Sequence, residues 1–330
     1  MSTLTDLARE EHSARMVLSI VGTANDAPTG QLLARVGAVE TVALMDSGTD
    51  VPGMTPVQAA LWREHAHNRM GVDTVARIIA EGEAYRFISP IDAEWPRQLE
   101  ELGSRTSYGL WARGSIDLLR VEPHSMVTFD GARAATSYGE EVTRMLTSDL
   151  AYAKYTVVSG GAYGIEGAAH SGAISSGGNT IAVLASGIDR PYPSGHADLF
   201  ERIESAGLIV SEVAPGGQPT RQRFLDPARV LAAFSETTVI VEAGARSGAL
   251  QVANEANDLH RSVGAVPGSV LSAASNGTNM LLQQDRAHLI THASDIEDLA
   301  RLGGSAALTQ IFGSAPVQPA RRENQPSRTL

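Results

Sequence analysis

The sequence predicts an α/β protein built on a doubly wound, mainly parallel sheet, preceded by a small all-helical domain. Three observations predict this. From Tyr85 onward, short apolar runs alternate with amphipathic stretches in a strand, helix, strand rhythm, as a parallel sheet covered on both faces requires. Several of these runs end in glycine-bearing loops that open directly into a helix, most clearly between Tyr155 and His170. Residues 3–80 instead carry apolar side chains at helical spacing. The expected organisation is a helical domain over residues 1–82, a sheet domain over 83–310 and a disordered tail over 311–330.

In the first domain, helices are expected over Leu4–Val21, Gln31–Met45, Pro56–His65 and Val72–Ile79, with turns at Ala27-Pro28, Ser47-Gly48 and Pro52-Gly53. The run Leu32 to Val39 has the pattern of half a helix-hairpin-helix, whose backbone amides hold a DNA phosphate. A plain bundle explains it more simply, with Gly37 as an ordinary helix stop. In the sheet domain, Phe87-Ile88 and Leu110–Gly114 read as strands around a helix near Ala93–Leu102. Strands follow at Met126–Asp130, Tyr155–Val158, Thr180–Leu184, Leu208–Val210, Thr238–Val241, Val263–Val266 and His288–Ile290. Helices fill the gaps at Tyr138–Tyr152, Ile165–Ile174, Ala197–Ser205, Pro227–Phe234, Ala249–His260, Asn276–Gln284 and Asp295–Leu302. Ser314–Leu330 is rich in proline, arginine and polar residues, a composition that does not bury a core.

Composition narrows the function classes. With 43% apolar and 19% charged residues the chain is globular rather than disordered for most of its length. No cysteine occurs, which removes disulfide frameworks and thiolate metal sites and makes a cytoplasmic setting the expectation. No apolar stretch approaches the ~20 residues needed to span a bilayer, and the N-terminus lacks the pattern of a secretory signal, so no membrane association is expected. A net charge of −11 argues against a protein coated in nucleic acid but leaves room for a local basic pocket. Lys154 is the single lysine, so any anion site must rely on arginine, which grips phosphate in a two-pronged geometry.

In a doubly wound sheet, ligands lie at the carboxyl ends of the strands, so the loops there carry the chemistry. After Val158 come Ser159, Gly160 and Gly161, and Gly164 opens a helix whose first amides have no internal partner and suit an anion. Taken alone, the two adjacent glycines are equally well explained as a tight turn. The same design recurs as Gly131-Ala132-Arg133 after one strand and Gly244-Ala245-Arg246-Ser247-Gly248 after another, which together suggest a cradle for several phosphates. A nicotinamide dinucleotide fits poorly, because Ser159 stands where Gly-x-Gly-x-x-Gly requires glycine. His170 reads as a packed, hydrogen-bonded side chain rather than a general base. Ser247 lacks the nucleophile elbow of a hydrolase, and His288 with His292, like His65 with His67, has no metal-ligand spacing. No catalytic residue, cofactor or metal is expected.

The residues also carry a family pattern. Gly131 to Gly139, then Ser159-Gly160 with Gly164-Ile165 and Ala169-His170, then Thr180–Leu184 with Gly187-Ile188-Asp189 and Tyr192-Pro193, resemble the DNA-processing protein A family, DprA or Smf. The pattern continues through Ser211-Glu212, Val241-Glu242, Ser247-Gly248-Ala249-Leu250, Val266-Pro267-Gly268 and Gly277-Thr278-Asn279, with Asp92, Trp95-Pro96 and Leu99 upstream. The resemblance covers about residues 85–292 and implies an extended Rossmann-like fold, a homodimer, sequence-independent binding of single-stranded DNA, and its delivery to a RecA-type recombinase in natural transformation or recombination. The family's Gly-Ser/Ala-Arg loop contacts phosphate, a role that falls on Arg133. The expected DNA contacts are thus Gly131 and Arg133; Ser159, Gly160, Gly161 and Gly164; Gly187; Arg223 and Arg229; and Arg246, Ser247 and Gly248. Two departures mark a divergent member. Tyr163 and Glu166 stand for the family's arginine and aspartate, and Phe-Pro-x-Arg-Asn-Arg becomes Phe224-Leu225-Asp226-Pro227-Ala228-Arg229. Only Arg229 of that motif's arginines is kept, with Arg221 and Arg223 able to add charge one turn away. No C-terminal winged helix is expected beyond residue 310.

The rival class is a nucleotide-binding enzyme or sensor. Lonely Guy-type phosphoribohydrolases carry Pro-Gly-Gly-x-Gly-Thr-x-x-Glu on a related sheet. With Gly248-Ala249 set on the Gly-Thr of that motif, the glutamate position falls on Val252, which cannot assist glycosidic cleavage.

Overall fold

The computed structural model describes residues 3–220 and 222–303. The expected tail, the sheet domain beyond residue 303 and Arg221 lie outside the described residues.

Five helices precede the sheet: α1 (Leu4–Leu7), α2 (Glu11–Val21), α3 (Ala27–Asp46), α4 (Pro56–Arg69) and α5 (Val72–Gly82). The single helix expected over Leu4–Val21 is two. The Ser13 hydroxyl accepts the Glu10 amide at 3.1 Å, which starts a new helix there. α3 begins earlier than expected because Asp26 caps it, with Pro28 in its first turn. It is interrupted at Gly37, whose φ of 80° leaves the helical region. The next amide, Ala38, donates to the Glu11 carboxylate at 2.9 Å, so the group that a helix-hairpin-helix would offer to a phosphate already holds an anion of the protein itself.

The sheet has nine strands in the order β1-β2-β6-β5-β4-β3-β7-β8-β9. They are β1 (Arg86–Ile88), β2 (Leu110–Gly114), β3 (Met126–Asp130), β4 (Thr156–Ser159), β5 (Thr180–Leu184), β6 (Leu208–Ser211), β7 (Thr237–Ile240), β8 (Ser262–Ala265) and β9 (His288–Leu289). β1 with β2, and β2 with β6, pair antiparallel; every other neighbour pair is parallel. Between the first two strands the expected helix near Ala93–Leu102 is a 3-10 segment, Arg97–Arg105. Pro96 explains the late start, since proline restricts the residue before it and offers no amide.

Helices cover both faces: α6 (Ser137–Tyr152), α7 (Ile165–Ser175), α8 (Ala197–Ala206), α9 (Pro227–Phe234), α10 (Ala249–Asp258), α11 (Asn276–Gln283) and α12 (Ala293–Leu302). Alternation along the strands assigns the faces. In β5, Ile181 and Val183 pack in one core with Leu231 and Phe234 of α9 and Val252 of α10, while Ala182 and Leu184 face Phe200 and Ile203 of α8. The helical domain joins the second core through Val17, Leu18 and Val21 of α2 and Val75 and Ile78 of α5. Trp111 anchors that junction: it is fully buried, its indole N–H donates to the Ser19 hydroxyl at 3.2 Å, and Gly82 packs on its ring.

Candidate functional site

From β3 the chain steps outward through β4 and β5 to β6, then crosses back to lay β7 on the other side of β3. Loops leaving β3 and β7 therefore diverge, and the crevice between them is where an open α/β sheet takes its ligand. A cleft of about 1040 Å³ lies there. Its floor is Asp130-Gly131-Ala132 after β3 and Gly160-Gly161-Ala162 after β4; its shelf is Gly244 to Ala249 after β7; Tyr192, Thr220 and Phe224 form the remaining wall.

At two points of the floor nothing larger than hydrogen fits. A Cβ on Gly131 would enter Ile165, and one on Gly160 would enter the Glu166 carboxylate. The Ala132 amide donates to Glu242 O at 2.7 Å, tying the β3 loop to the β7 loop. Gly164, with φ of 77°, lets α7 start directly under that loop, where a side chain would strike Ala132 O. His170 fixes the turn from below. Its Nε2–H donates to Gly160 O at 2.7 Å, Nδ1 lies 2.7 Å from the Thr180 hydroxyl, and burial lowers its pKa to about 4. The imidazole is neutral and structural, as its helical position suggests.

Two cations stand over the floor. The Arg133 guanidinium lies over the Phe224 ring, 4.3 Å from the centroid, and Tyr192 meets Phe224 edge-on at 5.7 Å. Arg246 is exposed on the opposite shelf. Among the described residues no carboxylate pairs with either arginine, so both are available to an anion. Below them sit two carboxyls. Asp130 accepts the Gly131 amide at 2.6 Å, and Glu166 accepts the Ala162 amide at 2.7 Å. Burial, and then the neighbouring Glu166 charge, hold Asp130 well above the ordinary carboxylate range; burial also raises Glu166. Burial thus favours a proton on this pair of carboxyls over two full negative charges.

The structure thus brings Gly131, Arg133, Gly160, Gly161, Arg246, Ser247 and Gly248 into one cleft. Others expected there lie elsewhere. The Ser159 hydroxyl is buried and donates to Phe129 O at 2.7 Å, within the sheet. Gly164 lies behind the Arg133 loop, and the Gly187 amide donates to Gly217 O at 2.8 Å in a neighbouring loop. Arg223 is on the same turn as Phe224 but directs a guanidinium N–H to Gln218 O at 2.6 Å. Arg229 requires correction as a DNA contact. It is 1% exposed and its guanidinium is consumed by Glu212 at 2.6 and 2.8 Å, Arg105 O and Asp226 O, so no phosphate can reach it. Sequence reasoning did not assign Asp130, Tyr192 or Phe224 to the site. The aromatic pair carried a signal only as fragments of the family motifs.

A family model described as DNA recombination-mediator protein A matches residues 86–301. A putative DNA processing protein DprA from Mycobacterium tuberculosis is 46% identical over 221 residues, 64% of this chain and 56% of the relative. The chain thus spans little more than half of that relative's length. DNA processing protein DprA of Streptococcus pneumoniae is 33% identical over 67% of this chain and 76% of its own. Among solved structures, DprA of Streptococcus pneumoniae superposes with a TM-score of 0.72 at 27% identity, over 87% of this chain and 96% of that one. DNA processing protein A from Helicobacter pylori, described for its single-stranded DNA binding mode, gives 0.58 at 27% identity over 65% and 94%.

Proposed function

Since the chain belongs to the DNA recombination-mediator protein A family, we propose that its cleft binds single-stranded DNA without reading sequence and that the protein delivers the strand to a RecA-type recombinase, acting as a cytoplasmic homodimer. The observation that carries this reading is the Arg133–Phe224 stack at the mouth of a glycine floor. Backbone amides and unpaired arginines take phosphates, and an aromatic face takes a base of any identity. Within the described residues no helix is long and apolar enough to cross a membrane. The test is a titration with single- and double-stranded oligonucleotides at two salt concentrations. Preference for the single strand is expected, with a salt slope of about −2 to −3 for three or four phosphates. Equal affinity for duplex, or no binding at low salt, removes the reading.

One observation favours a second reading, cleavage of nucleoside monophosphates: the Asp130–Glu166 pair resembles an acid and a base in one cleft. Against it, Val252 supplies no acid, and Glu242 is spent on capping α6 through the Thr136 amide at 2.8 Å and hydroxyl at 2.7 Å. Release of free base above the uncatalysed rate, lost in Asp130→Asn, would establish the enzyme instead.

A further inference from the structure

The Arg133 loop has a second side. Beyond it, away from the cleft, lies a groove of about 440 Å³ to which Arg133 also contributes. Gly164, Gly167, Ala168 and Ser171 of the α7 segment form its floor, a run of roughly 10 Å at 1.5 Å per residue. α6 supplies one wall with Glu140 and Arg144, and α8 the other with Asp198, Leu199 and Arg202. At its head Tyr163 is 49% exposed and meets the His196 ring edge-on at 4.6 Å. The same imidazole reaches back to the cleft: its Nδ1–H donates to Gly161 O at 3.1 Å. The two cavities are thus joined by Arg133 above and by His196 beside the glycine turn.

The groove carries a local excess of positive charge. Three guanidiniums face two carboxylates, in a chain of net charge −11. Arg144 is held by Glu140 at 2.7 Å, but Arg202 is exposed and has no ion-pair partner among the described residues. A mononucleotide in the cleft does not extend into this groove. A strand whose backbone passes over Arg133 does, and the half-exposed tyrosine offers a face for an unpaired base.

We propose that the single-strand track continues from the cleft across Arg133 into the groove between α6 and α8, where Arg202 holds a backbone phosphate and Tyr163 stacks a base. The inference rests on the single-strand reading above and extends its footprint. Fluorescence anisotropy on the full chain tests it, using labelled oligothymidylates of about six and about twenty-five nucleotides. Arg202→Ala and Tyr163→Ala are each expected to weaken the long oligonucleotide about three- to tenfold and to leave the short one, which the cleft alone holds, unchanged. Arg202→Ala should also make the salt slope for the long strand shallower by about 0.7, one phosphate's share. Unchanged affinity for the long strand, or an equal loss for both lengths, overturns the proposal while the cleft reading stands. A wild-type protein that binds neither length overturns both.

Discussion

The Arg133 guanidinium rests over the ring of Phe224, 4.3 Å from its centroid, although the two residues come from loops far apart in the chain. A guanidinium held by its face keeps its N–H edge for a phosphate. Arg133→Ala is therefore expected to weaken single-strand binding roughly ten- to hundredfold, the equivalent of about 1.5 to 3 kcal/mol for a charged hydrogen bond. Arg133→Lys should recover only part, because an ammonium lacks the fork. Arg133 is exposed and lies within ion-pair distance of no carboxylate among the described residues, although its charge favours ionised Asp130 and Glu166, so thermal stability should change little. A destabilised Arg133→Ala that binds normally removes the residue from the site.

Phe224→Ala should cost roughly five- to hundredfold in affinity, matching about 1 to 3 kcal/mol for one stacked base. If the ring serves only to position Arg133, the double variant Phe224→Ala with Arg133→Ala will bind no more weakly than Arg133→Ala alone.

The Asp130–Glu166 pair makes affinity depend on pH. Both carboxyls are raised, Asp130 well above its ordinary range, so negative charge beneath the floor grows as pH rises through those elevated values. Single-strand affinity should fall as pH rises, and Asp130→Asn, which still accepts the Gly131 amide, should flatten that fall. For stability the sign is the same, since a raised carboxyl pKa contributes below the unfolded value and its contribution is lost as pH rises through the folded one. A titration that stays flat for the wild type rejects the shared proton.

His170 acts in the opposite sense. Its folded pKa of about 4 lies below the ordinary 6.5, so its contribution is complete above pH 6.5 and is lost between there and pH 4. The loss amounts to roughly 3 kcal/mol. Urea unfolding across that window should show the slope in the wild type and lose it in His170→Gln.

Arg229→Ala leaves Glu212 buried without its partner and should destabilise by about 3–5 kcal/mol, whereas Arg229→Met with Glu212→Leu should recover much of it. Below the unfolding transition, both proteins should bind single-stranded DNA as the wild type does. A specific loss of binding in the stable double variant returns Arg229 to the DNA interface.

Local rules made much of this legible. Pro227–Phe234 forms the expected helix because proline opens it and apolar residues fill it, and the loops after β3, β4 and β7 line one cleft because a parallel sheet puts strand ends on one edge. Arg229 was misread because a family position outweighed a local signal. The helix around it is apolar on every side, the mark of a core helix, in which a lone arginine must find its partner inside. Phe224 was illegible as a site residue for the converse reason. Its partner Arg133 is set by the meeting of two distant loops, which no local pattern encodes.

The seam between β3 and β7 joins Val127 to Thr237, about 110 residues on. The glycine floor and the arginine shelf thus belong to opposite ends of a long chain closure, the strand pairing of this sheet with the widest separation in sequence. During synthesis, a nascent chain that has emerged only through β6 owns the glycine turn but not the shelf of Arg246. The complete anion site therefore requires β7 to be seated beside β3, which brings Arg246 opposite the glycine floor.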